Sequence, residues 1–341
     1  MPRIISIGRW RPVYDLAQKI RALEPWRYMD ETDIFAVLDP VSIKTGYISI
    51  MGNLGEHFAV SIYTGTEGLY GFQRLQELDG APSPMDVLIV PQLMLSFEDR
   101  DILDGEDLQI IRDLEIKPRG DHAWPMIRSY RPGWVPWFLD NEEIEFLKTM
   151  LEQALIVLQD RSSLKRVRDA LQNDTLLARV AKKSRGVWIW EELNQKVPKM
   201  PTSRITYMAT AELLERTASL PRKKSEVYLD LQMLMAQIKE KNDDRAYFPF
   251  LLIFMDESTK LVLHFELLSA KHGWEQFLAE LPVAILDGLN KIAFMPSRLL
   301  VRQPFIVDAL RPLIKDLGLR FKVVEDMPEM DEFIEGYERR L

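Results

Sequence analysis

The chain has 341 residues, 47% of them hydrophobic and 28% charged, with 44 basic against 52 acidic side chains. That length exceeds one ordinary core and predicts about two domains, and the balance of apolar and charged residues excludes a disordered chain. Cysteine is absent, which excludes disulfides, thiolate metal sites, cysteine nucleophiles and iron–sulfur clusters.

Apolar residues at Val13, Leu16, Ala17, Ile20 and Leu23 predict an amphipathic helix stopped by Pro25. Short β-branched or aromatic runs at Asp33–Leu38, Thr45–Met51 and Phe58–Tyr63 predict strands. A helix from Thr66 to Leu78, a strand over Asp86–Phe97 and a helix over Glu106–Leu114 follow. Trp124–Trp137 holds too much Pro and Gly for a helix, and Asn141 is read as the cap of a long helix reaching Asp160. This defines an N-terminal α+β domain over 1–160. Residues 161–224 read as a basic connecting subdomain, with a helix at 164–171, a strand at Val187–Trp190 and a helix from Thr210 to Thr217. The remainder, 225–341, runs β-β-β-α-β-α-β-α, the order of a mixed sheet whose parallel neighbours are joined through helices. The fold class is therefore mixed α/β (α+β).

In that last third, PFLLIFMDESTKLVLHFELLS, a helix, PSRLLVR, a helix ending LGLRFKVV, and MDEFIEGYERR follow in order. This layout resembles the catalytic core of integrases and transposases of the ribonuclease H-like fold. The resemblance implies three carboxylates holding two metal ions for phosphodiester chemistry. It would place the first at Asp230, in YLDLQ, and the last at Glu335. Where the second should follow the strand LLV, this sequence has Arg302-Gln303. A cation at a metal-ligand position opposes the mechanism, so the expectation is a degenerate, non-cleaving domain with no metal and no cofactor. A nuclease would need an unorthodox third ligand, Asp256 or Asp308.

The first 160 residues carry PW at 25 and 26, AVLDP at 36–40, MGNLGEHFAVSIYTG at 51–65, SFEDRDIL at 96–103 and WPMIRSYRPGWVPWFLDNEE at 124–143. On these phrases they resemble an uncharacterised bacterial family commonly joined to a second domain of unknown function. Within them, the loop Gly52 to His57 offers backbone N–H groups beside Glu56 and His57, suited to an anion or to acid–base work, or else to a tight turn alone. Arg128, Tyr130, Arg131, Trp134 and Trp137, with Arg100, form an aromatic and basic stretch suited to a carboxylate, a phosphate or a base plane. The same residues serve equally if the tryptophans are buried against the Asn141 helix and the arginines pair with Asp99, Asp101 or Glu143.

Residues 161–224 hold 15 Lys/Arg against 6 acids, either a solvated face or a nucleic-acid contact that would include Lys182, Lys183 and Arg185. The histidines at 57, 122, 264 and 272 form no HExxH, and no GxSxG, GxxxxGK[ST] or GxGxxG occurs. No apolar run reaches the roughly 18 residues of a membrane span. The apolar stretch Ile4–Ile7 stops before Arg9 and Arg11, unlike a leader peptide. The combined expectation is a bacterial, cytoplasmic, non-catalytic binding or scaffold protein with no membrane partner. Its ligand would be an unidentified protein or a small anion.

Overall fold

The computed structural model describes residues 5–78, 80–199, 209–241 and 243–339. The chain divides into two compact units, Met1–Arg131 with Pro136–Pro201, and Pro132–Val135 with Thr202–Leu341. Both are mixed α/β.

In the first unit, α1 (Ile7–Leu23) buries Trp10, Val13, Ala17 and Ile20 along one stripe and ends at Glu24 in the left-handed conformation. The strands are β1 (Phe35–Leu38), β2 (Thr45–Met51), β3 (Phe58–Thr64), β4 (Gln92–Glu98), β5 (Trp124–Tyr130), β6 (Thr175–Ser184) and β7 (Val187–Lys196). Among the described residues they form one sheet in the order β5-β4-β3-β2-β1-β6-β7. Every neighbour is antiparallel except β1 and β6. Alternation sends Ile48, Ile50, Val60, Ile62, Leu93 and Leu95 to one face, where they pack with α1 and α5 (Asn141–Gln159). Tyr47, Tyr63, Leu176 and Ala178 face the other side, packed with Leu69 and Phe72 of α2 (Gly65–Glu77).

Several elements differ from the sequence expectation. The single strand over 86–97 is instead a short helix, α3 (Pro84–Leu88), followed by β4. Ser83 and Asp86 form a reciprocal capping box with Pro84 at the first helical position, a local start signal that overrides the apolar run behind it. The stretch from Trp124 is not helical, as expected, and its first part is β5, the edge strand of the sheet, a position that tolerates Pro125. The cap of α5 is Asp140, in a box with Glu143, and not Asn141. Residues 161–196 are no separate connector. They form α6 (Arg161–Gln172), β6 and β7, and β6 pairs with β1 to extend the first sheet. The remaining helix of this unit, α4 (Gly105–Asp113), starts from a capping box between Asp104 and Asp107.

In the second unit, α7 (Ala211–Ala218) precedes β8 (Arg222–Met233), β9 (Pro249–Asp256), β10 (Val262–Ser269), α8 (Trp274–Ile292), β11 (Met295–Val301), α9 (Pro304–Leu317), β12 (Phe321–Val323) and α10 (Pro328–Glu338). The described strands order as β10-β9-β8-β11-β12, antiparallel among β8, β9 and β10 and parallel across β8, β11 and β12. On one face Phe250 meets Phe277 of α8, and Phe254 lies against Gly288, where any Cβ would collide with its ring. On the other, Leu251, Ile253 and Met255 are covered by Met327, Met330 and Ile334 at α10. Pro132–Val135 straps onto this unit, since Gly133 O and Val135 N bond to Phe248 N and Ala246 O.

Candidate functional site

The β8–β11 register opposes Tyr228 to Leu300, so two residues further along both chains Asp230 and Arg302 come side by side. Asp230 is fully buried, with its Oδ2 accepting from Arg302 Nε at 2.9 Å and from Gln232 Nε2 at 2.7 Å. The other face of the guanidinium is taken by Asp331 in the first turn of α10, with Nη1 donating to Oδ2 at 2.9 Å and Nη2 to Oδ1. Burial works against the Arg302 charge, but hydrogen bonding to Asp331 and the nearby Asp230 outweigh it and hold the guanidinium above its ordinary value. Asp230 Oδ1 is buried without a hydrogen-bond partner.

This donor set does not fit a divalent cation. Two carboxylates face each other, and a fixed positive group occupies the space where a metal would be shared. Glu335, one turn beyond Asp331, is exposed and pairs with Arg339 at 3.1 Å. Asp256 is spent on its own turn, accepting from Ser258 and Thr259, and Asp308 pairs with Arg311 on α9. Among the described residues no three His, Asp or Glu side chains converge as a metal site.

In the first unit, Arg128 of β5 turns inward, donating to Asp107 Oδ1 at 2.8 Å and Oδ2 at 2.6 Å and to Asp104 Oδ2 at 3.1 Å. Its Cζ lies 4.6 Å from the Phe138 ring centroid. Burial raises the Asp107 carboxyl above its usual range, against the pull of Arg128, and burial also raises the neighbouring Tyr14 phenol. Arg131 pairs with Glu143 at 2.8 Å and with Asp140. Tyr130 reaches Met94 Sδ at 3.8 Å. Trp137 bridges its backbone to Ser129 and sets its ring edge-on to Phe138. Trp134 belongs to the second unit, edge-on to Tyr247. Arg100 is exposed, 5.7 Å above the Trp124 ring. The stretch is thus divided among separate packing tasks.

Glu56 is exposed, while His57 Nδ1 lies 3.8 Å from Glu98 Oε1. Gly52 and Gly55 both take positive φ, and with Trp26, Arg27, Asn53 and Leu54 they line a hollow of about 290 Å³. Neither Glu56 nor His57 lines it.

Residues 10–179 match the family model of a domain of unknown function (DUF7309), and residues 213–338 match that of a second domain of unknown function (DUF6930). The chain belongs to an uncharacterised two-domain family. No curated protein matches it. The DUF7309 match ends at Arg179, within β6. That residue is buried and bridges Gln153 of α5 to Glu192 of β7 at 2.9 and 2.8 Å. The DUF6930 match contains Asp230, Arg302 and Asp331.

Sequence reasoning overlooked Asp331 in the DUF6930 domain and Asp104, Asp107 and Tyr14 in the DUF7309 domain. Asp104-x-x-Asp107 carries a helix-start signal, and the structure uses the same two carboxylates to receive Arg128. Of the basic segment, Arg166 pairs with Glu192 at 2.7 Å, Arg168 with Asp33 at 2.6 Å, and Arg161 lies over the Tyr28 ring. Lys183 and Arg185 stand exposed at the β6–β7 turn.

Proposed function

We propose that this is a non-catalytic binding protein of the bacterial cytoplasm whose second unit is a scaffold derived from a ribonuclease H-like nuclease core. The observation that carries the reading is Arg302 clamped between Asp230 and Asp331. A guanidinium held by two carboxylates supplies an internal charge in place of a metal ion, so the strand and the closing helix stay joined without one. The β10-β9-β8-β11-β12 order, with its antiparallel and parallel halves, supports the layout. The bacterial assignment rests on the phrases of the N-terminal domain, and the cytoplasmic one on the lack of cysteine.

The test is calorimetric titration of Mg²⁺ and Mn²⁺ into the whole chain, with DNA and RNA cleavage assays run beside it. The expected outcome is no saturable heat and no cleavage. Metal-dependent cleavage abolished by Asp230→Asn would overturn the reading and restore the nuclease alternative.

A further inference from the structure

Beyond the first sheet, β6 and β7 continue as a two-stranded ribbon. The recorded β1–β6 register covers only Ala36 with Ala178 and Val37 with Arg179, whereas β6 and β7 stay paired from Thr175 with Lys196 to Ser184 with Val187. Arg185 and Gly186, both at positive φ, close the ribbon in the tight turn that suits twisted hairpins. Behind that turn Val187, Trp188 and Ile189 are 65%, 39% and 57% exposed. Lys182, Lys183 and Arg185 are exposed around them.

Successive strand residues point to opposite faces, so this tip carries apolar groups on both sides at once. A protein surface laid against the ribbon would cover one side and leave the other wet. A fluid apolar medium covers both. Tryptophan favours the boundary between hydrocarbon and water, and basic side chains beside it are drawn to anionic headgroups. Lys182 is paired with Glu191, so the positive charge at the tip comes from Lys183 and Arg185, and the chain's more distant acids, further than about 8 Å away, are largely screened at physiological salt.

We propose that the β6–β7 ribbon dips its Val187–Ile189 tip into an anionic lipid surface, with Lys183 and Arg185 against the headgroups. For a cytoplasmic protein the anionic leaflet facing that compartment supplies such a surface. The expectation of no membrane partner rests on the lack of a spanning segment, and no described helix is long and apolar enough to cross a bilayer. A peripheral tip needs none. A nucleic acid fits the tip less well. Lys183 Nζ already lies 5.4 Å from the Trp188 ring centroid, over the face on which a base would stack, and Val187 and Ile189 would stay in water.

The experiment is co-sedimentation of the full chain with vesicles of phosphatidylcholine alone and of phosphatidylcholine with phosphatidylglycerol in equal parts. Binding is expected to the mixed vesicles and to weaken with salt. Lys183→Gln and Arg185→Gln should each weaken it about fivefold, and Val187→Ser with Trp188→Ser and Ile189→Ser by about tenfold or more. Brominated acyl chains should quench tryptophan fluorescence less in Trp188→Phe than in the native protein. All these positions are exposed, so the variants should melt with the native protein. No binding to the mixed vesicles, or binding unchanged in the triple variant, overturns the proposal. Binding of a single-stranded oligonucleotide, lost in the same variants while vesicles stay unbound, overturns it in favour of nucleic acid.

Discussion

Replacing Arg302 by leucine removes the cation from between two carboxylates that differ in what they can do next. The Asp331 side chain is 46% exposed and regains water, whereas Asp230 is completely enclosed and has nowhere to turn. Breaking a buried pair from one side costs about 3–5 kcal/mol. Because only one carboxylate is stranded here, and the Arg302 side chain itself is 17% exposed, the lower end applies, about 3 kcal/mol. Removing both charges, as Asp230→Leu with Arg302→Leu, leaves no stranded ion, so that pair should lie within about 1 kcal/mol of the native protein. Since two units can unfold separately, the assay is urea denaturation read through amide exchange of β8 and β11. A single-variant cost under about 1 kcal/mol, or a double variant as unstable as the single, would refute the account of a buried ion pair.

Three further outcomes follow from the same structure. Arg128→Met should destabilise the first unit by about 3 kcal/mol by stranding the buried Asp107, and Arg128→Lys should recover little of it because the contact is bidentate; urea denaturation measures both. Gly133→Ala should cost the second unit about 1–3 kcal/mol in the same assay, since Gly133 sits at φ +80° and its new Cβ would lie 2.6 Å from that of Ala270. Asp160 is held down to about 2, from an ordinary 3.8, by hydrogen bonds from Ser162 and Ser163. Its contribution is present above the ordinary value and lost as the pH falls through about 2. Asp160→Asn should therefore flatten the acid limb of stability against pH, read by thermal melting in a series of buffers.

Elements whose signals are local were legible in the sequence: the α1 stripe ending before Pro25, the β-branched and aromatic runs of β2 and β3, and the helix ending at Leu317-Gly318, where Gly318 takes the left-handed conformation. Where two local signals compete, the apolar run misled. At 84–97 a capping box starts a helix inside what reads as one strand. β6 was not legible because nothing near it in the chain announces that β1 will be its neighbour. At the candidate site, Asp230 and Arg302 were singled out by the layout's resemblance to ribonuclease H-like cores, and the β8–β11 register sets them side by side. Asp331 could not be told from Glu335, since the two carboxylates stand one turn apart on α10, and only the packing of Met327, Met330 and Ile334 decides which turn faces Arg302. The aromatic and basic stretch read as one cluster, yet β5 alternation and the strap at Pro132–Val135 send its side chains to different places.

The parallel pairing of β1 with β6 also sets a timetable for synthesis. A ribosome completes β1 to β5 well before it reaches β6, and the intervening stretch takes a few seconds to translate at about 5–20 residues per second. Throughout that interval the β1 margin has no partner, and on a nascent chain an open margin invites pairing with other chains. The residues that close it, Ala178 and Arg179, arrive together with the side chain that ties α5 to β7. A chain cut at residue 160 would keep that open margin permanently, so its tendency to aggregate should exceed that of the same unit extended through β7.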